Sequence, residues 1–594
     1  MCGIAGFCGK YEAKSRIIGT LKKLEHRGYD SCGVGFTNNS SLQIIKSVGN
    51  VSSLEKKLKG QKISSFTGIG HTRWATHGKV SIENAHPHLD CSKRIAVVHN
   101  GIIENYKNIK EKLRSLHKFS SFTDTEVIPH LIENFMLEGA DFENAFFHAL
   151  KELKGSFAIV AIFKGENRIF FAQKNSSLIV YKSNDGVYLV SDPAGLPDGA
   201  TEIIPVKDDE WGIISSENIK IFDFSGKEKK FESTTYSSAL VHKPNKHFLL
   251  KEIMEQPRTV LSALRSTISF FDNCEKNFFE NIEKIFLVGC GSSYHAGLIG
   301  KYYFETIARI DSKVEYASEV IPDPHSSRKN TLVIALSQSG ETRDTITAVR
   351  NLKDTKMLAI TNAPHSLLAR LVTGHIQMDA GLEVSVAATK SFTSQIICLY
   401  IISIKMAEVK GIVSREKASE LIINVLRISS HIEEIFTLIP AIQDIAISLK
   451  NSNSVFILGR GINYPVALEA SLKLKEVSGI YAESYPAAEM KHGPIALITE
   501  KTPVFFIAPV DDTYEKILNN IEEIKSRGAK VVVLTTKNND INNTCEQTLH
   551  IPSGGNLSPV CSIIPFQLLS YFLAIEKGMP VDRPRNLAKT VTVE

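Results

Sequence analysis

The stretch that decides the fold is the apolar run IFLVG at Ile285–Gly289, because it returns as VFILG at Val455–Gly459, 170 residues later. Short apolar runs of this kind, separated by long helical patterns, are typical of buried strands in a parallel sheet. Two further runs recur in the same order: LVIAL at Leu332–Leu336 with VFFIA at Val504–Ala508, and MLAIT at Met357–Thr361 with VVVLT at Val531–Thr535. The sequence therefore predicts two copies of a doubly wound α/β subdomain.

The chain upstream of this repeat has a different pattern, with short strand-like runs in series and few helices. This pattern favours a mostly antiparallel α+β domain. The predicted strands are Ile95–His99, Ser156–Phe163, Arg168–Ala172, Leu178–Tyr181, Val187–Ser191 and Ile213–Phe224, and the predicted helices are Ser15–Leu24 and Glu126–Leu137. The predicted domain bounds are 2–235, a polar linker at 236–247, the α/β copies at 248–415 and 416–580, and a polar tail at 581–594.

Composition excludes several classes of protein. Of the 594 residues, 43% are hydrophobic and 22% charged, which excludes a largely disordered or collagen-like chain. The net charge of +5 demands neither a nucleic acid nor an anionic membrane as partner. The longest unbroken apolar run is Ile396–Ile402, so no membrane helix is expected, and the first residues do not resemble a secretory signal. The nine cysteines form no Cys-x-x-Cys pair, which disfavours a zinc knuckle and favours a reducing cytosol.

One cysteine stands out by position, since Cys2 becomes the first residue once Met1 is removed. Its α-amine, with an ordinary pKa of about 7.7–8.0, can then act as the base for its own thiol. Attack of the thiolate on an amide creates an oxyanion, and Asn100 and Gly101, at the end of a predicted strand, can supply donors to it. A cysteine in the second position is by itself weak evidence for a catalytic nucleophile, because it also arises by chance.

Two further segments strengthen the case for an amide substrate. The segment His71–Gly78 includes Arg73, whose guanidinium suits the α-carboxylate of an amino acid. Asp124, in the sequence Thr-Asp-Thr-Glu, can hold the α-ammonium group, or it can simply cap the helix predicted to start at Glu126.

These motifs resemble the glutaminase domain of class II glutamine amidotransferases, an N-terminal-nucleophile hydrolase fold, and within that class the glutamine–fructose-6-phosphate aminotransferases. The resemblance is carried by Cys2–Gly6, Arg27–Ser31, His71–Gly78, Asn84–His88, His99–Gly101 and Thr123–Glu126. It implies that Cys2 is the nucleophile, that Asn100 and Gly101 form the oxyanion hole, and that Trp74 gates the passage of ammonia. It also implies a glutamine-binding set, which consists of Arg73, Thr76, His77 and Asp124. His86 and His88 match the motif, but we expect them to be structural.

In the first α/β copy, two loops follow strands and precede helices: Gly289–Tyr294 and Ser337–Thr342. Small residues and hydroxyls at a helix N-terminus favour an anion, although many such loops are ordinary helix caps. Neither loop contains Lys or Arg, and neither matches a nucleoside-triphosphate P-loop, so a sugar monophosphate is the better candidate.

The second copy contributes Glu469, Lys473 and Glu476, which fall on one helix face. Such a stripe is most often a solvated set of ion pairs. With His492 nearby, it could instead move protons on a sugar, and Lys589 could form an imine with a carbonyl group.

These segments resemble the sugar isomerase (SIS) domains of the same family, so that the likeness covers the whole chain. It implies that His492 opens the sugar ring, that Glu476 with Lys473 shuttles a proton, and that Lys589 forms the imine. It implies a phosphate site formed by Ser293, Ser337, Gln338, Ser339 and Thr342. His492 would serve the neighbouring subunit of a homodimer.

The expected activity is transfer of glutamine nitrogen to fructose 6-phosphate in the cytoplasm, with no metal or organic cofactor. Ala388, His295 and Ala488 depart from the family pattern, which leaves open a related ketose phosphate as substrate. Two other classes are less well supported. An ATP- or phosphoribosyl-diphosphate-dependent amidotransferase would need a site that the sequence does not show. A sugar-phosphate sensor with an inactive glutaminase is disfavoured by the intact site residues.

Overall fold

The structure, a computed structural model, describes residues 2–25, 28–38, 40–74, 79–235, 246–275, 278–321, 330–352, 355–536, 545 and 547–591. The chain forms two compact units. The first comprises Met1–Leu240 together with Ala588–Glu594, and the second comprises Val241–Leu587.

The first unit has two antiparallel sheets. The strands are β1 Gly3–Gly9, β2 Ser31–Thr37, β3 Leu42–Val48, β4 Thr67–Arg73, β5 His88–Leu89, β6 Ile95–Ile103, β7 Gly155–Phe163, β8 Ile169–Lys174, β9 Ile179–Lys182, β10 Gly186–Val190, β11 Glu202–Pro205, β12 Glu210–Ile214, β13 Ile219–Asp223, β14 Glu228–Lys229 and β15 Thr234–Thr235. One sheet has the order β15-β11-β9-β10-β1-β4-β2-β3 and the other β14-β13-β12-β8-β7-β6-β5. The predicted antiparallel α+β class is confirmed.

The first unit has five α-helices among its described residues: α1 Ala13–Leu24, α2 Val51–Leu58, α3 Tyr106–Leu113, α4 Val127–Leu137 and α5 Phe142–Glu152. The helices predicted near Ser15 and Glu126 are therefore present. The single strand predicted over Ile213–Phe224 is wrong, because β12 and β13 are the two arms of an antiparallel pair joined by a short turn at 215–218. The turn is polar, and its Ser215 N–H donates to the Asn218 carbonyl.

The second unit has two five-stranded parallel sheets. The first is built from β16 Lys284–Gly289, β17 Asp311–Tyr316, β18 Thr331–Leu336, β19 Lys356–Thr361 and β20 Gly374–Gln377, and the second from β21 Ser454–Gly459, β22 Tyr481–Pro486, β23 Pro503–Ile507, β24 Lys530–Thr536 and β25 Gln547–Ile551. Their orders, β17-β16-β18-β19-β20 and β22-β21-β23-β24-β25, are the same topology. The duplication predicted from three pairs of runs is confirmed, and the edge strands complete each copy.

The helices of the second unit cover these sheets. They are α6 Phe248–Met254, α7 Gln256–Asn273, α8 Ser292–Thr306, α9 Arg343–Asn351, α10 Leu367–Leu371, α11 Lys390–Val409, α12 Arg415–Ile435, α13 Ile439–Leu449, α14 Asn463–Lys473, α15 Tyr514–Lys525 and α16 Ser558–Glu576. Two of them, α11 and the segment Gly555–Glu576 that contains α16, are long and apolar enough to cross a membrane by length and composition alone. In the structure 83% and 89% of these apolar windows are buried, so both are core helices of the fold.

Candidate active sites

The Cys2 thiol lies at the start of β1, where β1 pairs with β4. The Trp74 N–H, just beyond the end of β4, donates to Cys2 Sγ at 3.3 Å, and the Trp74 carbonyl lies 3.6 Å from the same sulfur. Cys2 is half-buried. An amide donor aimed at the sulfur stabilises a developing thiolate, so the sheet register holds the candidate nucleophile in place.

Asn100 is held beside the nucleophile by two hydrogen bonds. Its Nδ2 donates to the Cys2 carbonyl at 3.1 Å, and its Oδ1 lies 3.0 Å from His71 Nε2. His71 Nε2 also lies 3.1 Å from the His99 carbonyl. Because both neighbours of Nε2 are acceptors, this nitrogen carries the proton. Burial lowers the pKa of His71 to about 3, so the ring is a neutral donor that fixes the orientation of the amide.

Gly101 cannot be replaced by a larger residue without movement of the backbone. Its φ is +125°, and a Cβ built on it would lie 2.0 Å from the carbonyl oxygen of Ser156 on β7. The close approach of β6 and β7 at this point keeps the backbone of the predicted oxyanion hole beside Asn100.

Arg73 and Asp124, predicted to bind glutamine, are both buried, with 4% and 5% of their surface exposed. Burial lowers the pKa of Arg73, and the nearby carboxylates of Asp30 and Asp124 act in the opposite direction. Asp124 Oδ2 accepts from the Ile103 N–H at 2.8 Å, at the end of β6. The alternative in which Asp124 only caps a helix is wrong, because α4 begins at Val127 without a side-chain cap.

The remaining predicted residues of the glutaminase site are Trp74, Thr76 and His77. Thr76 and His77 lie outside the described residues. The Trp74 indole meets the Tyr29 ring edge to face, with centroids 5.5 Å apart. His86 stacks on His71 at 4.0 Å, and His88 Nε2 lies 3.1 Å from Thr123 Oγ1, so both make packing and hydrogen-bond contacts behind the site. Sequence reasoning missed the role of His71, for which the only signal was its place in the motif.

The two hydroxyl-rich loops of the first α/β copy lie at the carboxyl ends of β16 and β18, which are adjacent in the sheet. Each is followed by a helix, α8 or α9, as predicted. In the second loop Ser337 Oγ lies 2.9 Å from Thr342 Oγ1 and accepts from the Gly340 N–H at 3.0 Å. In the first loop Ser293 Oγ accepts from Gln395 Nε2 at 3.0 Å. Hydroxyls and N–H groups at two helix N-termini suit a phosphate monoester.

Further hydrogen bonds brace the loop at Ser337–Thr342. Ser339 Oγ accepts from the Glu341 N–H at 3.1 Å, and the Gln338 carbonyl accepts from the Asn362 N–H at 2.9 Å. The side chain of Ser337 is buried and that of Gln338 is partly exposed, so the loop offers both a fixed hydroxyl and an accessible amide.

The predicted stripe on the second α/β copy is not solvated. Lys473 and Glu469 are 1% and 0% exposed, and Lys473 Nζ lies 3.4 Å from Glu469 Oε1 and 2.5 Å from Glu476 Oε2. Burial alone would lower the pKa of Lys473, but the two carboxylates raise it above its usual range. Glu476 lies in a π-helical turn, Leu474–Ser478, a geometry frequent at functional sites.

Glu469 also joins the two α/β copies. Its Oε1 accepts from Ser292 Oγ at 2.8 Å, and its Oε2 pairs with His295 Nδ1 at 2.7 Å. Although burial would raise the pKa of Glu469, Lys473 and His295 hold it below its usual value. His295, one of the departures from the family pattern, is thus part of a buried network beside Ser293.

The other site residues occupy more open positions. His492 is exposed at the end of the short helical segment Ala487–His492, where Ala488 is partly buried. Ala388 is also partly buried, two residues before α11 begins at Lys390. Lys589 belongs to the C-terminal residues that cluster with the first unit.

Comparison with known proteins decides the family. Over 100% of both chains, the protein is 40% identical to glutamine–fructose-6-phosphate aminotransferase (isomerizing) from Clostridium tetani and 41% identical to that from Aquifex aeolicus. The chain belongs to the glutamine–fructose-6-phosphate aminotransferase family. Residues 71–197 match the glutamine amidotransferase domain, and residues 278–405 and 448–577 each match the SIS domain. These matches confirm the resemblance read from the motifs.

A solved structure of the same family agrees with the fold. The C-terminal domain of glucosamine-fructose-6-phosphate aminotransferase from Francisella tularensis is 34% identical and superposes with a TM-score of 0.55. It covers 57% of this chain, and 98% of its own length is matched. The aminotransferase family thus accounts for the duplicated sheets of the second unit.

Proposed function

We propose that the protein hydrolyses glutamine and transfers the ammonia to fructose 6-phosphate, which yields glutamate and glucosamine 6-phosphate. The proposal rests on the geometry at Cys2, where the Asn100 amide donates to the Cys2 carbonyl and the Cys2 sulfur accepts from the Trp74 N–H. The same chain also has two SIS domains. Full-length identity of about 40% to aminotransferases of this name supports the same reaction.

The glutaminase half needs the amine of Cys2 free. Once Met1 is removed, the α-amine takes the thiol proton and the thiolate attacks the side-chain amide carbon of glutamine. A C–S bond forms, and the oxyanion receives hydrogen bonds from Asn100 and Gly101. As the intermediate collapses, the departing NH2 group takes the proton back from the α-ammonium of Cys2, the C–N bond breaks and ammonia is released. Water then hydrolyses the thioester to glutamate, while Arg73 and Asp124 hold the α-carboxylate and α-ammonium groups.

The sugar half starts with the phosphate in the loop of Ser337–Thr342 and with ring opening by His492. Lys589 condenses with the C2 carbonyl and expels water, and ammonia then displaces the lysine from the imine. Glu476 moves a proton from C1 to C2, while the C1 hydroxyl loses its proton and the imine nitrogen gains one, so the ketose imine becomes the aldose amine. The water released on imine formation balances the water consumed in thioester hydrolysis, so no further reactant is needed.

The test separates the two halves. Cys2→Ala should abolish glutamine-dependent synthesis yet leave interconversion of the ketose and aldose phosphates, whereas the control Cys274→Ala should retain both. Lys589→Ala should remove sugar turnover and leave slow glutaminase activity. Loss of both activities in a folded Cys2→Ala protein would contradict the assignment of two separate sites. If N-terminal mass spectrometry showed that active enzyme retains Met1, the α-amine of Cys2 could not be the base.

The identity of the sugar needs its own experiment, because His295, Ala388 and Ala488 differ from the family pattern. The protein is incubated with glutamine and a panel of ketose phosphates, and the products are resolved by mass. We expect fructose 6-phosphate to give the highest kcat/KM. A higher value for another ketose phosphate would instead identify a paralogue that serves a specialised surface-sugar pathway.

We also propose a homodimer in which His492 acts in the partner's site. The exposure of His492 supports this assignment, and nothing in the net charge requires nucleic acid or a membrane as partner. Mixing His492→Ala with Glu476→Ala chains should restore activity, because a mixed dimer then retains one complete site. Absence of recovery in a verified mixed dimer would place both residues in one subunit's site.

A cytoplasmic location is proposed as well, and the free thiols of Cys8, Cys32 and Cys398 support a reducing compartment. The activity should therefore be found in the soluble fraction of lysed cells and should not require oxidising conditions.

A further inference from the structure

A second cluster of reactive side chains lies in the first unit, apart from the proposed glutaminase residues. Cys91 lies in the turn between β5 and β6, His117 follows α3, and His130 and Glu133 are one turn apart on α4. The two histidines and the glutamate are buried, with 5%, 1% and 4% of their surface exposed, while Cys91 is exposed at the edge of the cluster. Nothing in the proposed reaction uses these four residues.

The distances within this cluster match a tetrahedral metal site. Cys91 Sγ lies 3.8 Å from His117 Nδ1 and 3.6 Å from His130 Nδ1. Glu133 Oε2 lies 3.0 Å from His117 Nδ1 and 3.6 Å from His130 Nδ1, and all four ligand atoms are within 4.8 Å of one another. Tetrahedral zinc with bonds of about 2.0–2.3 Å would separate its ligand atoms by about 3.3–3.6 Å.

The groups around the cluster orient the ligand atoms. The N–H groups of Cys91 and Ser92 donate to the two oxygens of Glu133, each at 2.9 Å, which turns the carboxylate toward the sulfur. The Lys118 N–H donates to Cys91 Sγ at 3.3 Å, as suits a thiolate. The far nitrogen of His130, Nε2, lies 3.9 Å from the Glu126 carboxylate. Hydrogen bonds to a ligating carboxylate are common around a bound metal, and here backbone amides supply them to Glu133.

The chemistry of the donors selects the metal. One thiolate and one carboxylate neutralise a dication, so a filled site would place no net charge in this buried region. Sulfur and imidazole nitrogen exclude magnesium and calcium, which prefer oxygen, and four donors in tetrahedral array favour zinc. We propose that Cys91, His117, His130 and Glu133 bind one Zn²⁺ ion, which fastens the β5–β6 turn and the end of α3 to α4.

This site would stabilise the segment that carries Asp124, because that segment runs between His117 and His130. The expectation of no metal, drawn from the absence of a Cys-x-x-Cys pair, is revised by this proposal. The signal was hard to read in the sequence, since three of the ligands lie 26, 39 and 42 residues after Cys91 and come together only in the fold.

The experiment measures metal in the full-length protein, purified without chelator and dialysed against metal-free buffer. Elemental analysis should find about one zinc per chain in the parent and in the control Cys274→Ser, and zinc affinity should fall by at least about tenfold in Cys91→Ser and in His117→Gln. Cobalt substitution gives a second readout, because Co²⁺ in the parent should show a thiolate charge-transfer band and tetrahedral visible bands. Cys91→Ser should lose the charge-transfer band.

Two results would overturn the proposal: zinc content and affinity that are the same in Cys91→Ser and Cys274→Ser, or a cobalt spectrum of the parent without thiolate charge transfer. Tryptophan emission shows whether each variant is folded, since Trp74 and Trp211 both lie in the first unit. If Cys91→Ser does not fold, the cobalt spectrum of the parent decides alone. Glutamine hydrolysis is not the readout, so failure here would leave the proposed function standing.

Discussion

Replacement of the buried Lys473 by methionine should strongly destabilise the second unit. Methionine has nearly the same length and volume but carries no charge. In the parent, the ammonium group lies between Glu469 and Glu476 and is 1% exposed. Lys473→Met therefore leaves two carboxylates close together, and that of Glu469 has no access to water.

The magnitude follows from the geometry. At the 3.4 Å that separates Lys473 Nζ from Glu469 Oε1, Coulomb's law with an effective dielectric constant of about 20 gives about 5 kcal/mol. The desolvation of the ammonium group offsets part of this attraction. Removal of one partner from a buried ion pair costs about 3–5 kcal/mol, because the other charge stays buried without compensation. For a unit of this size, Val241–Leu587, that corresponds to a fall in Tm of about 4–7 °C.

The assay exploits the placement of the two tryptophans. Trp74 and Trp211 are both in the first unit, so their emission follows only that unit, whereas far-ultraviolet circular dichroism follows both. Lys473→Met should lower the transition seen by circular dichroism without an equal shift in tryptophan emission. The matched variant Glu469→Gln/Lys473→Met removes both charges of the buried pair and should recover part of the loss. A Tm within about 1 °C of the parent would refute the assigned burial of the charges.

Three further predictions test the backbone and the histidine network. Gly101→Ala should lower glutaminase kcat by about 100-fold or more, because its Cβ would lie 2.0 Å from a carbonyl oxygen of β7, while Gly139→Ala, with φ of +105° and open space, should not change kcat. Gly340→Ala, whose Cβ would meet a serine hydroxyl at 2.0 Å, should raise the KM for the sugar phosphate at least tenfold relative to Gly411→Ala, the control with a similar φ of +67°. Burial lowers the pKa of His71 to about 3, so between that pH and about 6.5 the unfolded chain binds more protons than the folded chain. The Tm of the first unit, followed by tryptophan emission, should therefore fall as the pH drops below about 6.5. A Tm that stays constant from about pH 7 to about pH 4 would contradict a neutral His71 ring.

Hydrophobic runs predicted the second unit better than the first. In parallel sheets both faces of a strand are covered, so the strands appear as continuous apolar runs, and β16, β18, β21 and β23 coincide closely with the predicted runs. In the first unit, β1 (GIAGFCG) is rich in glycine and lacks the period of an amphipathic strand. It was missed because its pairing with β4 and β10, rather than any local preference, makes it a strand.

The site was predictable where local motifs carry it and not where distant residues meet. Cys2 and Asn100 could be identified because each belongs to a short motif, and the fold brings them together across 98 residues. The spacing of Glu469, Lys473 and Glu476 favours a solvated stripe, since helical spacing shows which residues share a face but not whether that face is covered. Its burial depends on contact with Ser292 and His295 from the other α/β copy.

Glu469 and Glu476 differ in burial, and this difference indicates different roles for the two carboxylates. Glu469 is 0% exposed and already accepts from Ser292, His295 and Lys473, so it has little capacity left for a substrate. The side chain of Glu476 is 21% exposed and is held by the same Lys473. Two carboxylates that share one cation but differ in environment can take separate roles, one structural and one chemical. This asymmetry supports Glu476 as the group that moves the proton, and it gives Glu469 the task of keeping Lys473 charged and in place.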